Sequence, residues 1–145
     1  MPSFLPPLPR SSATRASSPV PARTALWAAG ADAALILVFA ALGRDAHQRG
    51  EIITGVLVTA WPFLAGAALA WLALRLWRAP LALWPAGIGV WLSTVSVGML
   101  LRAATGQTVV LPFVIVALLS LGLFLLGYRL LAAVLRRRNT RRAAD

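Results

Sequence analysis

Two charged side chains stand inside long apolar stretches of this sequence, Asp32 in the first and Arg129 in the last. At about 1.5 Å of helix per residue, Asp32 lies about 10 Å into its stretch and Arg129 about 9 Å before the end of its own. A charge at that depth in hydrocarbon is costly unless it is paired, neutralised or open to water. The first and last helices of a simple four-helix bundle are neighbours, so we expect an Asp32–Arg129 ion pair. Two alternatives stay open: a proton- or ion-binding role for Asp32, and an Arg129 whose long stem reaches the lipid headgroups.

Two tryptophans and two serines fall near the middle of the second and third apolar stretches. Trp61 and Trp91 are placed near the centre of a bilayer, where an indole N–H needs an acceptor. Pro62 removes one helical hydrogen bond and kinks the helix. Ser93 and Ser96 share one helix face. These five residues form a candidate cavity lining, and the alternative is that the kink and the hydroxyl groups serve helix packing.

The loop regions on one side of the apolar stretches carry a second candidate site. If these loops meet, Arg44 and Arg102 could hold an anionic headgroup or substrate, and His47 could sense pH near neutrality. Solvated charge explains the same residues. The sequence has one His and no Cys, so we expect no metal site and no cofactor. No base is arranged to activate a Ser or Thr, and we expect a protein that is not an enzyme.

The composition identifies the elements that must position these residues. Of 145 residues, 59% are hydrophobic and 12% are charged, whereas an average soluble domain is about 25% charged. This balance argues against a soluble enzyme. Four apolar segments are long enough to cross about 30 Å of hydrocarbon, and they cover residues 25–43, 52–74, 81–101 and 109–135. Because the connections are short, the sequence predicts an all-α integral membrane protein with four transmembrane helices in an up-down bundle.

The charges outside the helices predict the orientation. Residues 1–24 are rich in Pro, Ser and Arg and are expected to form a disordered tail, and residues 136–145 form a basic C-terminal tail. All fourteen basic residues are Arg, and eleven of them lie on the side of the two termini. By the positive-inside rule, both termini are cytoplasmic and the protein lies in the cytoplasmic (inner) membrane. Three tryptophans are expected at the same interface, namely Trp27, Trp77 and Trp84.

Four blocks of sequence resemble a known family. The first block runs from Asp32 through 38–44 to His47, and the others are 59–64, 97–102 with Gly106, and 123–129. Together they resemble the small bacterial and archaeal membrane proteins named domain of unknown function 3054, over about residues 30–132. Asp45 and Ala46 depart from the Arg-Ser that the family has after Arg44, and Tyr128 stands where it often has Trp. The resemblance implies a four-helix membrane protein and no activity.

Two functions from different classes fit these features. In the first, the protein is a small proton- or ion-coupled transporter that uses the intramembrane Asp32. In the second, it is a non-catalytic accessory or scaffold protein whose buried polar residues fix the helix packing. The expected partners are the lipid bilayer and anionic lipid headgroups at the Arg-rich cytoplasmic tail, and either a second copy of the chain or another membrane protein. No nucleic acid is needed to explain the basic residues.

Overall fold

Four long helices form the protein in a computed structural model that describes residues 20–45 and 52–142. The long helices are α1 (Ala22–Asp45), α2 (Ile52–Ala73), α3 (Ile88–Ala104) and α4 (Leu111–Arg142). Two short helical turns, Leu76–Arg78 and Leu83–Gly87, lie in the segment that connects α2 to α3. Within the described part of the chain, four helices are long and apolar enough to cross a membrane. The all-helical architecture with four long apolar helices expected from the sequence is therefore present.

The ends of two helices differ from the prediction for identifiable reasons. The third segment was expected to be helical from residue 81, but α3 begins at Ile88. Trp84 has extended backbone angles, as expected for a residue that precedes a proline, here Pro85. The fourth helix continues past residue 135 into the basic segment 136–145 and ends at Arg142, because arginine is a good helix former and no breaker intervenes.

Each helix packs mainly against its two neighbours, in the order α1, α2, α3 and α4, and α4 closes the ring against α1. At one end of the bundle, α1 and α3 begin and α2 and α4 end, and we call this the Arg-rich end. Toward the opposite end, Phe39, Phe63 and Phe113 pack together, and the rings of Phe39 and Phe63 meet edge to face at 5.4 Å. This apolar cluster joins three of the four helices.

The backbones of α2 and α3 lie close together at Gly66. A methyl group built on Gly66 would lie 2.7 Å from the carbonyl oxygen of Ser93 and 3.0 Å from the Cα of Thr94. The Ser93 hydroxyl donates a hydrogen bond to the Gly66 carbonyl at 2.8 Å. Small residues and hydroxyl groups at a crossing are typical of packed transmembrane helices.

Candidate functional site

Asp32 and Arg129 lie against each other between α1 and α4, about 97 positions apart in the chain. Arg129 Nη1 lies 2.7 Å from Asp32 Oδ1, and Nη2 lies 2.8 Å from Oδ2. The guanidinium group therefore donates two parallel hydrogen bonds to the carboxylate. Asp32 is 1% exposed and Arg129 is 0% exposed. The structure thus brings together the two charged residues for which the sequence suggested an ion pair. We call them the buried pair.

Two aromatic side chains complete the contacts of the carboxylate. The Tyr128 hydroxyl donates to Asp32 Oδ1 at 2.8 Å, and the Trp71 indole N–H donates to Oδ2 at 2.9 Å. Each carboxylate oxygen therefore accepts two hydrogen bonds. Neither Tyr128 nor Trp71 was predicted from the sequence to contact Asp32. Their chemistry could have indicated this contact. A phenol O–H and an indole N–H inside an apolar helix each need an acceptor, and few acidic side chains in this chain can serve as one.

Two further donors of Arg129 bind backbone carbonyl groups. Nε donates to the Pro80 carbonyl at 3.2 Å, and Nη1 donates to the Leu125 carbonyl at 2.9 Å. Pro80 belongs to the segment between α2 and α3, so Arg129 ties this segment to α4. The space for the arginine depends on Gly87, where a Cβ atom would lie 3.0 Å from Arg129 Cδ. Through these contacts, the buried pair connects α1, α4 and the segment that precedes α3.

An apolar groove between α1 and α2 reaches the buried pair from the side. It has a volume of about 370 Å³ and is lined by Asp32, Trp71 and small or apolar residues such as Ala29 and Ala67. A larger apolar groove of about 520 Å³ lies between α1 and α4 near the opposite end, with Phe39 among its lining residues. The carboxylate itself is covered, because its oxygens are engaged by Arg129, Tyr128 and Trp71.

The five residues of the candidate cavity lining on the second and third helices differ in their surroundings. Trp61 is 40% exposed on the outside of the bundle, Pro62 is buried in the packing, and Ser96 is exposed. Trp91 donates to the Leu118 carbonyl at 3.0 Å, and Ser93 donates to the carbonyl of Gly66. None of these five residues lines either of the two grooves. Trp91 and Ser93 satisfy their polar groups at helix contacts, as the packing alternative expects, and a cavity lined by these five residues stays a prediction.

The outer cluster is only partly described. His47 and the side chain of Arg44 lie outside the described residues, so their predicted meeting with Arg102 stays a prediction. Arg102 donates through Nη2 to the Thr108 carbonyl at 3.3 Å, and its guanidinium carbon lies 4.5 Å from the centre of the Phe113 ring. These contacts hold the turn between α3 and α4. Over residues 20–45 and 52–142, His, Cys, Asp and Glu side chains form no group of three that could hold a metal ion.

The comparison with known proteins identifies a family. Neither the curated proteins nor the solved structures contain a match to the chain. The sequence model of the family described as "Protein of unknown function (DUF3054)" matches residues 29–132, a span that includes the buried pair and most of α1 to α4. The chain therefore belongs to the DUF3054 family of proteins of unknown function, as the resemblance of its sequence blocks predicted.

Proposed function

We propose that this chain is a multi-pass protein of the cytoplasmic membrane that acts as a non-catalytic accessory or scaffold subunit, with both termini in the cytoplasm. The four apolar helices support membrane insertion. The arginine imbalance supports the orientation, since the Arg-rich end then faces the cytoplasm. In this role the bundle presents its apolar outer faces to lipid and to a membrane-embedded partner.

The observation that carries this proposal is the complete engagement of the Asp32 carboxylate. Arg129 binds both of its oxygens, and Tyr128 and Trp71 each add one further hydrogen bond. A carboxylate that exchanges protons or cations must lose its partners during each cycle, and here four charge-assisted hydrogen bonds would have to break. An arrangement of this kind favours a fixed connection between helices over a working ion site.

A small ion-coupled transporter is the second candidate, and one observation favours it. Asp32 and Trp71 line the groove between α1 and α2, so a ligand in this groove would lie beside the carboxylate. An intramembrane acid next to a groove is a common feature of ion pathways. In this role Arg129 would compete with the transported cation for Asp32.

A proton-flux assay separates the two functions. Wild-type protein and Asp32→Asn would be reconstituted into liposomes that contain a pH-sensitive dye, and a potassium diffusion potential would drive proton entry. We expect the wild-type flux to equal that of protein-free liposomes. Purification from native membranes in a mild detergent is expected to yield a second protein in a fixed ratio to this chain. Wild-type flux above the protein-free level that Asp32→Asn abolishes would overturn the accessory role and support the transporter.

The orientation can be tested directly because the chain has no cysteine. Thr108 is exposed in the turn between α3 and α4, and Asn139 is exposed near the end of α4. We expect a membrane-impermeant maleimide to label Thr108→Cys in intact spheroplasts and to label Asn139→Cys only after the membrane is opened. The reverse pattern would contradict cytoplasmic termini, and equal labelling of both sites in intact cells would indicate mixed orientations.

A further inference from the structure

A small pocket lies at the Arg-rich end, beyond the buried pair. It is a half-open pocket bordered by the start of α1, the segment between α2 and α3, and the last part of α4. Its volume of about 250 Å³ is below the roughly 300–1,000 Å³ of ordinary small-molecule sites. Thr24, Arg78, Arg136 and the segment 79–82 line it. We call it the arginine pocket.

Two arginine side chains line the arginine pocket, and its lining includes no carboxylate from the described part of the chain. Within residues 20–45 and 52–142, the acidic residues are Asp32, which Arg129 holds, and Asp45, which ends α1 at the opposite end of the bundle. No acidic side chain of these described residues therefore balances the positive charge of Arg78 and Arg136. An anion that fits this pocket has to come from outside the described chain.

The position of the arginine pocket relative to the lipid headgroups indicates which anions can reach it. Trp27, Trp77 and Trp84 border the same end of the bundle, with exposed fractions of 77%, 44% and 73%. Exposed indoles collect at the headgroup level of a bilayer, where their rings meet lipid and their N–H groups meet water. The abundant anion at this level is the phosphate of phospholipids, and arginine binds phosphate oxygens with paired hydrogen bonds.

We propose that the arginine pocket binds the phosphate of one anionic phospholipid, with Arg78 and Arg136 as its ligands and the Thr24 hydroxyl as a further donor. This site rests on the membrane orientation given under the proposed function. It adds a specific lipid ligand to that function. A bound headgroup bridges the start of α1, the segment before α3 and α4. It therefore acts on the same elements that the buried pair connects.

The pocket and the buried pair share two elements. Arg136 follows Arg129 by seven residues, which places both side chains on nearly the same face of α4. Pro80 lines the pocket, and its carbonyl group accepts the hydrogen bond from Arg129 Nε at 3.2 Å. A lipid held by Arg78 and Arg136 keeps Pro80 close to α4 and so preserves this bond. Lipid binding should therefore raise the thermal stability of the bundle.

The test is a lipid titration of the full chain in neutral detergent, followed by thermal unfolding and native mass spectrometry. Phosphatidylglycerol is the anionic probe, and phosphatidylcholine is the neutral reference. We expect phosphatidylglycerol to raise the Tm of the wild type more than phosphatidylcholine does, with one lipid retained per chain. The variant Arg78→Gln/Arg136→Gln should lose the retained lipid and bind phosphatidylglycerol at least about tenfold more weakly, because it lacks two charge-assisted contacts.

The matched control is Arg141→Gln/Arg142→Gln, which removes the same charge from exposed positions at the end of α4, outside the pocket. This control should keep the wild-type response. Equal losses in the two double variants would overturn the site, because they would mean diffuse attraction between charges. An equal Tm rise with soluble glycerol phosphate alone would overturn the lipid as the source of the phosphate. Neither readout depends on ion flux or on a partner protein, so a failed accessory role leaves the test intact.

Discussion

Arg129→Leu should lower the free energy of unfolding by about 3–5 kcal/mol, which is the usual cost of removing one partner from a buried ion pair. The substitution leaves the Asp32 carboxylate buried with only Tyr128 and Trp71 as donors. It also removes the donor to the Pro80 carbonyl. Chemical unfolding of the purified protein in lipid nanodiscs measures the loss. Arg138→Leu is the control, since Arg138 is exposed on the same helix and surface changes usually stay within about 0.5 kcal/mol.

A double-mutant cycle tests whether the loss comes from the pair itself. Asp32→Asn alone leaves the guanidinium of Arg129 without its anion and should cost at least about 2–3 kcal/mol. The double variant Asp32→Asn/Arg129→Leu has no buried charge at this position and should recover much of the loss. Losses that simply add in the double variant would contradict an energetic coupling between the two residues. Single variants within about 1 kcal/mol of wild type would contradict the role of the pair as a fixed connection.

Gly66→Ala is expected to destabilise the bundle although alanine is the better helix former. Alanine gains about 1 kcal/mol of helix propensity over glycine. Against this gain, its methyl group would lie 2.7 Å from the Ser93 carbonyl oxygen and 3.0 Å from the Thr94 Cα. Both atoms belong to the backbone of α3, so the two helices must move apart. Overpacking of this kind costs about 1–3 kcal/mol, and the larger Gly66→Leu should cost more and break the Ser93 hydrogen bond.

Gly127→Ala is the matched control for this substitution. Gly127 is also inside a helix, but a Cβ atom there would have no neighbour within 4 Å. We expect Gly127→Ala to leave the free energy of unfolding unchanged or to raise it by up to about 1 kcal/mol. If Gly66→Ala changes the free energy of unfolding by the same amount as Gly127→Ala, the close contact between Gly66 and the backbone of α3 would be contradicted.

The sequence predicts those features that depend on composition and on spacing along one helix. Four apolar segments of sufficient length define the four helices, and the depth of Asp32 and Arg129 places them at one level of neighbouring helices. The start of α3 at Ile88 was harder to predict, because it depends on the backbone around Trp84 and Pro85. An apolar stretch continues through this region without a break in hydropathy.

The contacts of Tyr128 and Trp71 could not be derived from spacing, because they depend on how each helix is rotated about its axis. Trp71 lies 39 residues from Asp32 in sequence, and Tyr128 lies 96 residues away. For the same reason, the sequence could not distinguish a cavity from packing at Trp91 and Ser93. Their acceptors are main-chain carbonyl groups, on Leu118 and Gly66, which carry no signature in the residue types.

The continuity of α4 has a mechanical consequence. The helix is unbroken from Leu111 to Arg142, and Arg129 attaches it to α1 and to Pro80 at an intermediate point. At about 1.5 Å per residue, roughly 27 Å of helix lies on one side of this attachment and roughly 20 Å on the other. If α4 tilts about this attachment, its two ends must move in opposite directions. A tilt that closed the large groove beside Phe39 would then move the arginines at the other end of α4 the opposite way.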